Sequence, residues 1–385
     1  MTHTSDQGVL PLKEPMRICH LTSVHSRFDT RIFLKECRSL ANAGYQVFLV
    51  VADGKGDELR DDVDINDVGT SSGRLDRVRN ITRRVLARAI EIDASIYHFH
   101  DPELIPAGLK LKRLGKRVIF DSHEDVPQQL LGKPYLNKIS RRILAHAMTA
   151  YETWSCRQFD AIVAATPFIR DKFLRINNRA VDINNFPLLG ELASPEWEAE
   201  ARTKVCYVGG IAANRGAREI VRAMESVQSN VRLELAGRFS EPTLGLEVRQ
   251  YAGWRRVDEL GFLNRDGVRS VLGRSFAGLV TLHPLTNYLD SLPIKMFEYM
   301  SAGIPVIASS FPLWKEIIRK NDCGVCVDPM DPQSIAQAIN HLFLNKDQAK
   351  IMGENGRQAV LERYNWGVEE KKLLSLYGTI ANIHF

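Results

Sequence analysis

Short apolar runs alternate with helical patterns along the chain from Met16 onward. Such alternation is typical of βαβ units, in which helices cover a parallel sheet. The first series predicts five strands, at residues 17–23, 46–52, 95–100, 118–122 and 161–166. A stretch without periodicity that is rich in Pro, Gly and acidic residues, 183–203, then predicts a linker. A second series predicts five more strands, at residues 205–208, 232–236, 277–282, 306–309 and 324–327.

The two series predict an α/β protein of two tandem Rossmann-like, doubly wound domains that face each other across a cleft. We place these domains at residues 16–190 and 200–365, preceded by a disordered leader over 1–15. Residues 366–385 are expected to form a helix that crosses back to the first domain. Because open parallel sheets bind ligands beyond the carboxyl ends of their strands, the site is expected in the cleft.

The composition of the chain limits the binding partners that we expect. With 44% apolar and 25% charged residues in 385, the chain is globular. Lys and Arg number 51 against 46 Asp and Glu, a net charge of +5 that allows phosphate-bearing ligands or anionic lipid and does not indicate nucleic acid. Cys19 and Cys206 lie inside apolar runs, which predicts reduced core thiols. No apolar run approaches the ~18 residues of a membrane span, so we expect a cytoplasmic protein, free or peripheral at the inner face of the cytoplasmic membrane.

Several familiar motifs are absent or incomplete. No GxGxxG follows the first strand and no GxxxxGK[ST] occurs, which argues against a dinucleotide enzyme and a P-loop ATPase. Asp62 and Asp64 match the Asp-x-Asp pattern of metal-dependent transferases, but we interpret residues 56–67 as a solvated loop. Cys323 and Cys326 have CxxC spacing without a second pair, which favours buried thiols over zinc or redox chemistry.

The densest polar cluster of the second half lies between Asn287 and Ser309. Pro293 suits the first turn of a helix, and Gly303 with Pro305 would end it, so we predict a helix over 292–302. Its free N–H groups would point into the cleft and hold an anion, and Lys295 would add a full charge against a diphosphate. Glu298, one turn later, could accept hydrogen bonds from ribose hydroxyls. The alternative is an ordinary surface pair of Lys295 and Glu298.

This cluster resembles a known family motif. Asp290, seven residues before Glu298 and followed by Ala-Gly-x-Pro-Val-Ile, resembles the paired-acid motif of retaining nucleotide-sugar glycosyltransferases of family 4, which have the GT-B fold. Residues 207–216 resemble the first strand and phosphate-binding loop of the C-terminal domain of that family, and 233–238 and 258–262 resemble its nucleoside-contacting turns. The resemblance covers nearly everything from Arg17 onward, and its branch is that of bacterial envelope or exopolysaccharide assembly.

The resemblance implies roles for particular residues. The C-terminal domain would bind the nucleotide sugar and the N-terminal domain the acceptor. Arg215 and Lys295 would bind the diphosphate, Glu298 the ribose and Asp290 the hydroxyls of the transferred sugar. The rest of the implied donor site is Gly210, Gly237, Arg238 and Leu292. Two departures stand out: the first acid is usually Glu rather than Asp290, and many members carry Arg where this chain has Gly210, which puts more of the phosphate charge on Arg215.

Polar residues at strand ends of the first half are further candidates. His123 follows a predicted strand; it is either a hydrogen-bonded loop residue or, as the resemblance implies, a contact to the donor sugar near the reacting centre. His98 and His100 are expected on opposite sides of one strand, with only His100 facing the cleft, and we find no spacing that completes a metal site. His25, Asp29 and Arg31 are candidate acceptor or donor contacts, although Asp29 could be an N-cap and Arg31 a surface charge.

The implied function is retaining transfer of a hexosyl group from a nucleoside diphosphate sugar, UDP or GDP sugar foremost, to a hydroxyl of a saccharide or lipid-linked saccharide. Neither a metal nor a resident cofactor is expected. The alternatives are a nucleotide-sugar epimerase or sugar-phosphate synthase on the same fold, and a non-catalytic nucleotide-sugar-binding partner subunit. The basic, apolar segment 74–90 is interpreted as a sheet-covering helix, with contact to an anionic membrane as the alternative.

Overall fold

The computed structural model describes residues 15–131, 137–192 and 202–382. The described residues form two sheets. The first has eight strands in the order β3-β4-β2-β1-β5-β6-β7-β8, parallel except for the pair β3 and β4. These strands are β1 Arg17–Leu21, β2 Gln46–Val51, β3 Glu58–Arg60, β4 Val63–Asp67, β5 Ile96–Phe99, β6 Arg117–Ser122, β7 Ala161–Ala164 and β8 Ala180–Asp182. The predicted leader lies almost wholly outside the described residues.

The second sheet has six parallel strands in the order β11-β10-β9-β12-β13-β14. They are β9 Lys204–Val208, β10 Arg232–Ala236, β11 Val257–Gly261, β12 Ser275–Val280, β13 Val306–Ser309 and β14 Gly324–Val327. In each sheet the first strand of the domain lies inside the sheet, with the next strands of the chain on one side of it and the later strands on the other. This arrangement is that of doubly wound folds. The prediction of two Rossmann-like α/β domains is therefore confirmed.

Helices cover both faces of each sheet. Those of the first domain are α1 Arg38–Asn42, α2 Arg74–Asp76, α3 Thr82–Ile92, α4 Ile105–Arg113, α5 Val126–Leu131, α6 Lys138–Cys156 and α7 Pro167–Leu174. The remaining helices are α8 Ala217–Ala223, α9 Pro242–Val248, α10 Arg265–Arg274, α11 Thr286–Leu289, α12 Ile294–Ser301, α13 Pro312–Asn321, α14 Pro332–Leu344, α15 Lys346–Glu362 and α16 Trp366–Ala381. Wider π-type turns occupy Ile32–Cys37 and Arg77–Ile81, and short 3₁₀ turns occupy Pro102–Leu104, Ala213–Arg215 and Ala252–Arg256.

All ten predicted strands are present, but four short strands were not predicted. The expected solvated loop at 56–67 is wrong, because this segment contains the antiparallel pair β3 and β4. Strand β4 also pairs with β2 and buries Val63 and Ile65, which sets Asp64 within a strand. The alternation of buried and half-exposed residues in β4 is typical of an edge region, where one face meets the core and the other meets water.

The end of the first domain and the C-terminal helix bind the domains together. Of the predicted linker, residues 193–201 lie outside the described residues, but the part before them is packed. Phe186 stacks edge-on against Phe297 at 4.7 Å between ring centroids and contacts Tyr364 at 5.4 Å. Helix α16 lies against the first sheet, where Trp366 donates a hydrogen bond from Nε1 to Ser39 Oγ at 2.9 Å. These contacts join the two domains beside the cleft.

Segment 74–90, which was predicted to cover the sheet, packs against the first sheet over most of its length. Ile81, Val85 and Ala89 are buried in the core of the first domain, whereas Leu75 is 75% exposed. The six cysteines are free thiols, and Cys323 and Cys326 form no disulfide. No helix among the described residues is long and apolar enough to span a membrane.

Candidate functional site

A cavity of about 620 Å³ lies between the domains, at the carboxyl ends of the two sheets. This volume is within the range of ligand sites, roughly 300–1,000 Å³. The first domain lines it with residues that follow β1, β6 and β7, including Arg31 and His123. The second domain lines it with residues that follow β9 and β12 and with the start of α12, including Gly209 and Lys295. The cavity therefore lies in the cleft in which the sequence predicts the site.

Helix α12 begins at the cavity. Pro293 is its N-cap, with extended φ −69° and ψ 123°, and no side chain caps the first turn. The helix is thus slightly shorter than the predicted 292–302, because Pro293 precedes the first turn rather than occupying it. Leu292 and Pro293 line the cavity, and so do the first helical residues Ile294 and Lys295. Free N–H groups and the positive end of the helix dipole therefore meet the cleft.

Lys295 places an unpaired ammonium at this helix start. Its Nζ is shielded from solvent, has no hydrogen-bond partner among the described residues, and lies 3.6 Å from the centroid of the Tyr207 ring. Burial, together with the nearby charge of Arg215, lowers the pKa of Lys295 to about 7. The alternative of a surface pair with Glu298 is wrong, since Glu298 pairs with Arg265 instead. A shielded cation of this kind is costly unless an anion completes its surroundings.

Arg215 lies opposite Lys295 across a glycine turn. Its Nη1 donates to the backbone oxygen of Gly210 at 3.3 Å, and the Tyr207 hydroxyl donates to the same oxygen at 2.8 Å. Gly216, directly after Arg215, has φ +78°, and a Cβ there would lie 2.3 Å from the backbone oxygen of Thr281. Only glycine fits that close approach, and it fixes the turn that carries Arg215.

Glu298 is held by two ion pairs in series. Arg265 donates from Nη1 to Glu298 Oε1 at 2.7 Å, and its Nε and Nη2 bind the carboxylate of Glu191 at 2.7 and 2.8 Å. Sequence reasoning missed Arg265, although Asn264 is the N-cap of α10 and so marks Arg265 as its first residue. The three groups fix the orientation of Glu298 at the cavity wall while one of its carboxylate oxygens, Oε2, forms no hydrogen bond with a described residue.

The other predicted residues of the second domain fall into two groups. Asp290 follows α11, is exposed to the cleft and lines the cavity. Gly210, Gly237 and Arg238 are not part of the cavity lining. Gly237 packs behind the turn, because a Cβ on it would lie 1.9 Å from the Gly209 oxygen. Arg238 is exposed, and its guanidinium lies 5.0 Å from the centroid of the Phe262 ring.

In the first domain, Asp121 organises the cavity wall. Arg31 binds its carboxylate through Nε at 2.9 Å and Nη2 at 3.0 Å, and His123 Nε2 lies 3.2 Å from Oδ2. Burial alone would raise the pKa of Asp121, but Arg31, His123 and His100 lower it well below its usual value. The alternative of Arg31 as a surface charge is therefore wrong. Sequence reasoning missed Asp121, which lies one residue before the end of β6.

His25 and Asp29 lie just outside the cavity lining. Asp29 accepts backbone N–H bonds from Arg31 and Ile32 through Oδ1, at 2.8 and 3.0 Å, so it does cap the turn. Its Oδ2 lies 3.3 Å from His25 Nδ1. Burial lowers the pKa of His25, but the carboxylates of Asp29 and Asp101 outweigh it and raise the pKa above its ordinary value. The His25 ring lies 5.1 Å from that of His123.

The expected placement of His98 and His100 on opposite sides of the strand is wrong. Residues two apart in a strand share a face, and the two rings stack at 4.8 Å between centroids. Both are buried, and His100 Nδ1 lies 3.2 Å from Asp121 Oδ2. The fold also brings His20 and Glu36 to these rings, so that four metal-ligating side chains lie together where the sequence spacing indicated none.

The chain matches two sequence families. Residues 9–185 match the family described as Glycosyltransferase Family 4, and residues 193–359 match the family described as glycosyl transferases group 1. An uncharacterized glycosyltransferase of Methanocaldococcus jannaschii is 26% identical over 176 residues, which cover 45% of this chain and 44% of the relative. The matched region thus spans less than half of that relative.

Solved structures with the same fold cover almost the whole chain. Sucrose-phosphate synthase of Thermosynechococcus elongatus superposes with a TM-score of 0.76 at 18% identity, over 95% of this chain and 99% of that one. Anabaena HepE in complex with UDP-glucose superposes with a TM-score of 0.72 at 13% identity, over 94% of this chain and 100% of that one. The two halves of the chain therefore match the families described as Glycosyltransferase Family 4 and glycosyl transferases group 1, and the chain has the two-domain GT-B fold of these solved structures.

Proposed function

We propose that the protein is a retaining hexosyltransferase, which moves a sugar from a nucleoside diphosphate sugar to a hydroxyl of a saccharide or lipid-linked saccharide. The observation that carries this proposal is the shielded, unpartnered ammonium of Lys295 beside Arg215 at the start of α12. Two cations and the free N–H groups of a helix start form a site for a diphosphate.

The donor is a UDP or GDP sugar. Anabaena HepE has the same fold and binds UDP-glucose, which supports a uridine nucleotide. Glu298 would accept a hydrogen bond from a ribose hydroxyl through Oε2, because Oε1 already accepts one from Arg265. The phosphate end would then lie against Lys295 and Arg215.

The proposed chemistry rests on electrostatic stabilisation. Negative charge develops on the departing diphosphate, and Lys295, Arg215 and the helix start would stabilise it in place. The acceptor hydroxyl attacks from the face that the diphosphate leaves, and a phosphate oxygen takes its proton, so that the anomeric configuration is retained. Asp290 would bind hydroxyls of the transferred sugar, and His123 would contact the sugar near the reacting carbon. Because protein cations carry the charge, added Mg²⁺ or Mn²⁺ should not raise the rate.

Thermal shift against UDP, GDP, CDP and dTDP, and then against the corresponding sugars, tests the donor site. The variant Glu298→Gln keeps one oxygen for Arg265 but loses the oxygen that would accept a hydrogen bond from ribose. Without nucleotide it should therefore melt near the parental temperature. Nucleotide should raise its melting temperature less than that of the parent. Glu316→Gln, on the exposed face of α13, is the matched control. A Glu298→Gln protein with the full parental shift would remove the ribose contact from the proposal.

Incubating the donor without an acceptor separates the other functions of this fold. A transferase hydrolyses the nucleotide sugar slowly, an epimerase changes its sugar, and a non-catalytic partner subunit binds it without turnover. The likeness to sucrose-phosphate synthase makes sugar phosphates worth including among the acceptors. Product formation with a sugar phosphate alone would favour the synthase.

Helix α6 supports a membrane-side acceptor. Ile139, Ile143 and Trp154 are exposed at 72%, 63% and 52%, Arg142 is also exposed, and no acidic residue occurs between positions 139 and 151. Basic helices with exposed apolar residues bind anionic lipid surfaces. Co-sedimentation with phosphatidylglycerol vesicles should be lost in Ile143→Glu and kept in Leu361→Glu, an exposed control on α15. Equal binding of both variants would exclude α6 as the contact.

A further inference from the structure

Four buried side chains behind the cleft form a cluster that the proposed transfer reaction does not use. We name it the His20 cluster; it consists of His20 on β1, Glu36 in the turn Ile32–Cys37, His98 on β5 and His100 directly after β5. Each is at most 2% exposed, and one ligand atom from each lies within 4.8 Å of the others. The cluster lies on the face of the first sheet that α16 covers.

Three of its ligand atoms have the spacing of a metal-coordination sphere. His20 Nδ1 lies 3.0 Å from His100 Nε2, and Glu36 Oε2 lies 3.9 Å from each of them. A point equidistant from the three atoms is about 2.1 Å from each, within the ~2.0–2.2 Å of zinc bonds to nitrogen and oxygen. His98 brings a fourth ring nitrogen to the same place.

Polar groups outside the His20 cluster orient its imidazole rings, as second-sphere groups do in metal sites. His100 Nδ1 lies 3.2 Å from Asp121 Oδ2, which leaves the Nε2 lone pair of His100 directed into the cluster. The Tyr377 hydroxyl on α16 lies 3.2 Å from His20 Nε2 and 2.8 Å from His98 Nδ1. A carboxylate or another polar group on the far ring nitrogen is the usual second-sphere arrangement of a metal-binding histidine.

The cluster also leaves buried polar atoms without hydrogen bonds. Both carboxylate oxygens of Glu36 and Nε2 of His98 lack a hydrogen-bond partner among the described residues, although Arg31 Nε approaches Glu36 Oε1 to 3.1 Å. Unpaired polar atoms in a dry interior are costly, and a cation among them would remove that cost.

We propose that the His20 cluster binds one divalent transition-metal ion, Zn²⁺ foremost, through His20 Nδ1, His100 Nε2, Glu36 Oε2 and a ring nitrogen of His98. Three imidazoles and a carboxylate suit zinc in a closed, four-coordinate site. Asp121 and Glu36 bring two negative charges to the ion, and Arg31, which pairs with both carboxylates, adds one positive charge beside them. The ion would not touch the donor; it would fix His100 and, through Asp121, the position of His123.

Metal analysis tests the proposal without reference to transfer activity, so its outcome is separate from that of the proposed function. The full chain, purified without chelators and freed of any affinity tag, should contain about one equivalent of zinc by plasma mass spectrometry. Replacing zinc with Co²⁺ should give the visible absorption of tetrahedral cobalt. Glu36→Gln and His98→Gln should each retain at least about fivefold less metal than the parent. His146→Ala, an exposed histidine on α6, should retain it fully.

Absence of bound metal from the purified protein would also have a structural explanation. The groups Asp121, His100, His20, Tyr377 and His98 can be linked by hydrogen bonds alone, each group accepting a hydrogen bond from the next. A folded parent protein that lacks metal as purified, and takes up neither Zn²⁺ nor Co²⁺ after unfolding and refolding in their presence, would show that this hydrogen-bonded series is complete without an ion and would overturn the proposal. That result needs no variant to fold.

Discussion

Replacing Lys295 by methionine should stabilise the empty protein and abolish nucleotide binding. Methionine keeps the length of the side chain and its packing on Tyr207 but removes the charge. In the parent, the shielded ammonium of Lys295 has no hydrogen-bond partner among the described residues and lies near the charge of Arg215. The parent therefore carries a local instability that only a bound anion relieves, which is typical of a binding site.

The size of the effect follows from the pKa of Lys295. A decrease from the ordinary 10.5 to about 7 corresponds to an upper bound of about 5 kcal/mol against the charged form. Because neighbouring groups relax around a buried charge, we expect Lys295→Met to gain about 1–2 kcal/mol in the free energy of unfolding at pH 6. Above pH 7 the folded parent loses the proton that its unfolded chain keeps, so its own stability rises and the advantage of the variant shrinks toward pH 10.

Urea unfolding at pH 6 and pH 9, with and without UDP and GDP, measures both effects. The variant should be more stable than the parent at pH 6, less so at pH 9, and unaffected by nucleotide. Lys320→Met, on the exposed end of α13, is the matched control and should change neither property. A Lys295→Met protein that is less stable than the parent at pH 6 and still responds to nucleotide would refute the reasoning.

Three further changes test other parts of the site. Gly209→Ala forces a Cβ into a backbone with φ +120° and within 3.4 Å of Lys295 Nζ, so the nucleotide-induced melting shift should fall with a loss of about 1–2 kcal/mol in stability; an unchanged shift would exclude this turn from phosphate binding. In Gly216→Ala the new Cβ meets the backbone oxygen of Thr281, so the free energy of unfolding in urea should fall by at least ~2 kcal/mol; a smaller loss would show that this approach does not fix the turn of Arg215. His123→Ala should lower kcat by about 10²-fold at a near-parental melting temperature, and full activity would remove His123 from the mechanism.

The main strands could be predicted because most of their residues are apolar, as in buried parallel strands. The strands that were missed are short and half polar, such as β11 with Asp258 and Glu259. In β4, acidic residues alternate with buried Val63 and Ile65, and the acidic residues suggested a loop. Strands β8 and β11 depend on pairing with β7 and β10, which come well before them in the chain, so no local pattern contains that information. Strands β3 and β4 instead pair with each other across the short turn at Asp61 and Asp62.

The residues by themselves indicated a site only in the short segment 287–309, whereas Arg215, His123 and Arg31, which also line the cavity, were assigned through the family resemblance. Lys295, Glu298 and Asp290 lie close together in sequence and reach the same cavity. Arg265 reaches Glu298 from another helix, so its ion pair depends on tertiary packing. The grouping of His20 with His100 likewise joins two strands, β1 and β5, that are neighbours only in the sheet. The shared face of His98 and His100 is different, because the period of a strand already implies it.

Calorimetric titration with UDP and GDP against uridine and guanosine measures most directly whether the start of α12, with Lys295 and Arg215, binds a diphosphate. In the parent, at least one diphosphate should bind at least about tenfold tighter than its nucleoside, and added salt should reduce that difference. In Arg215→Gln the difference should largely disappear while nucleoside binding persists. Equal affinities for nucleoside and diphosphate in the parent, or an undiminished difference in Arg215→Gln, would contradict the account.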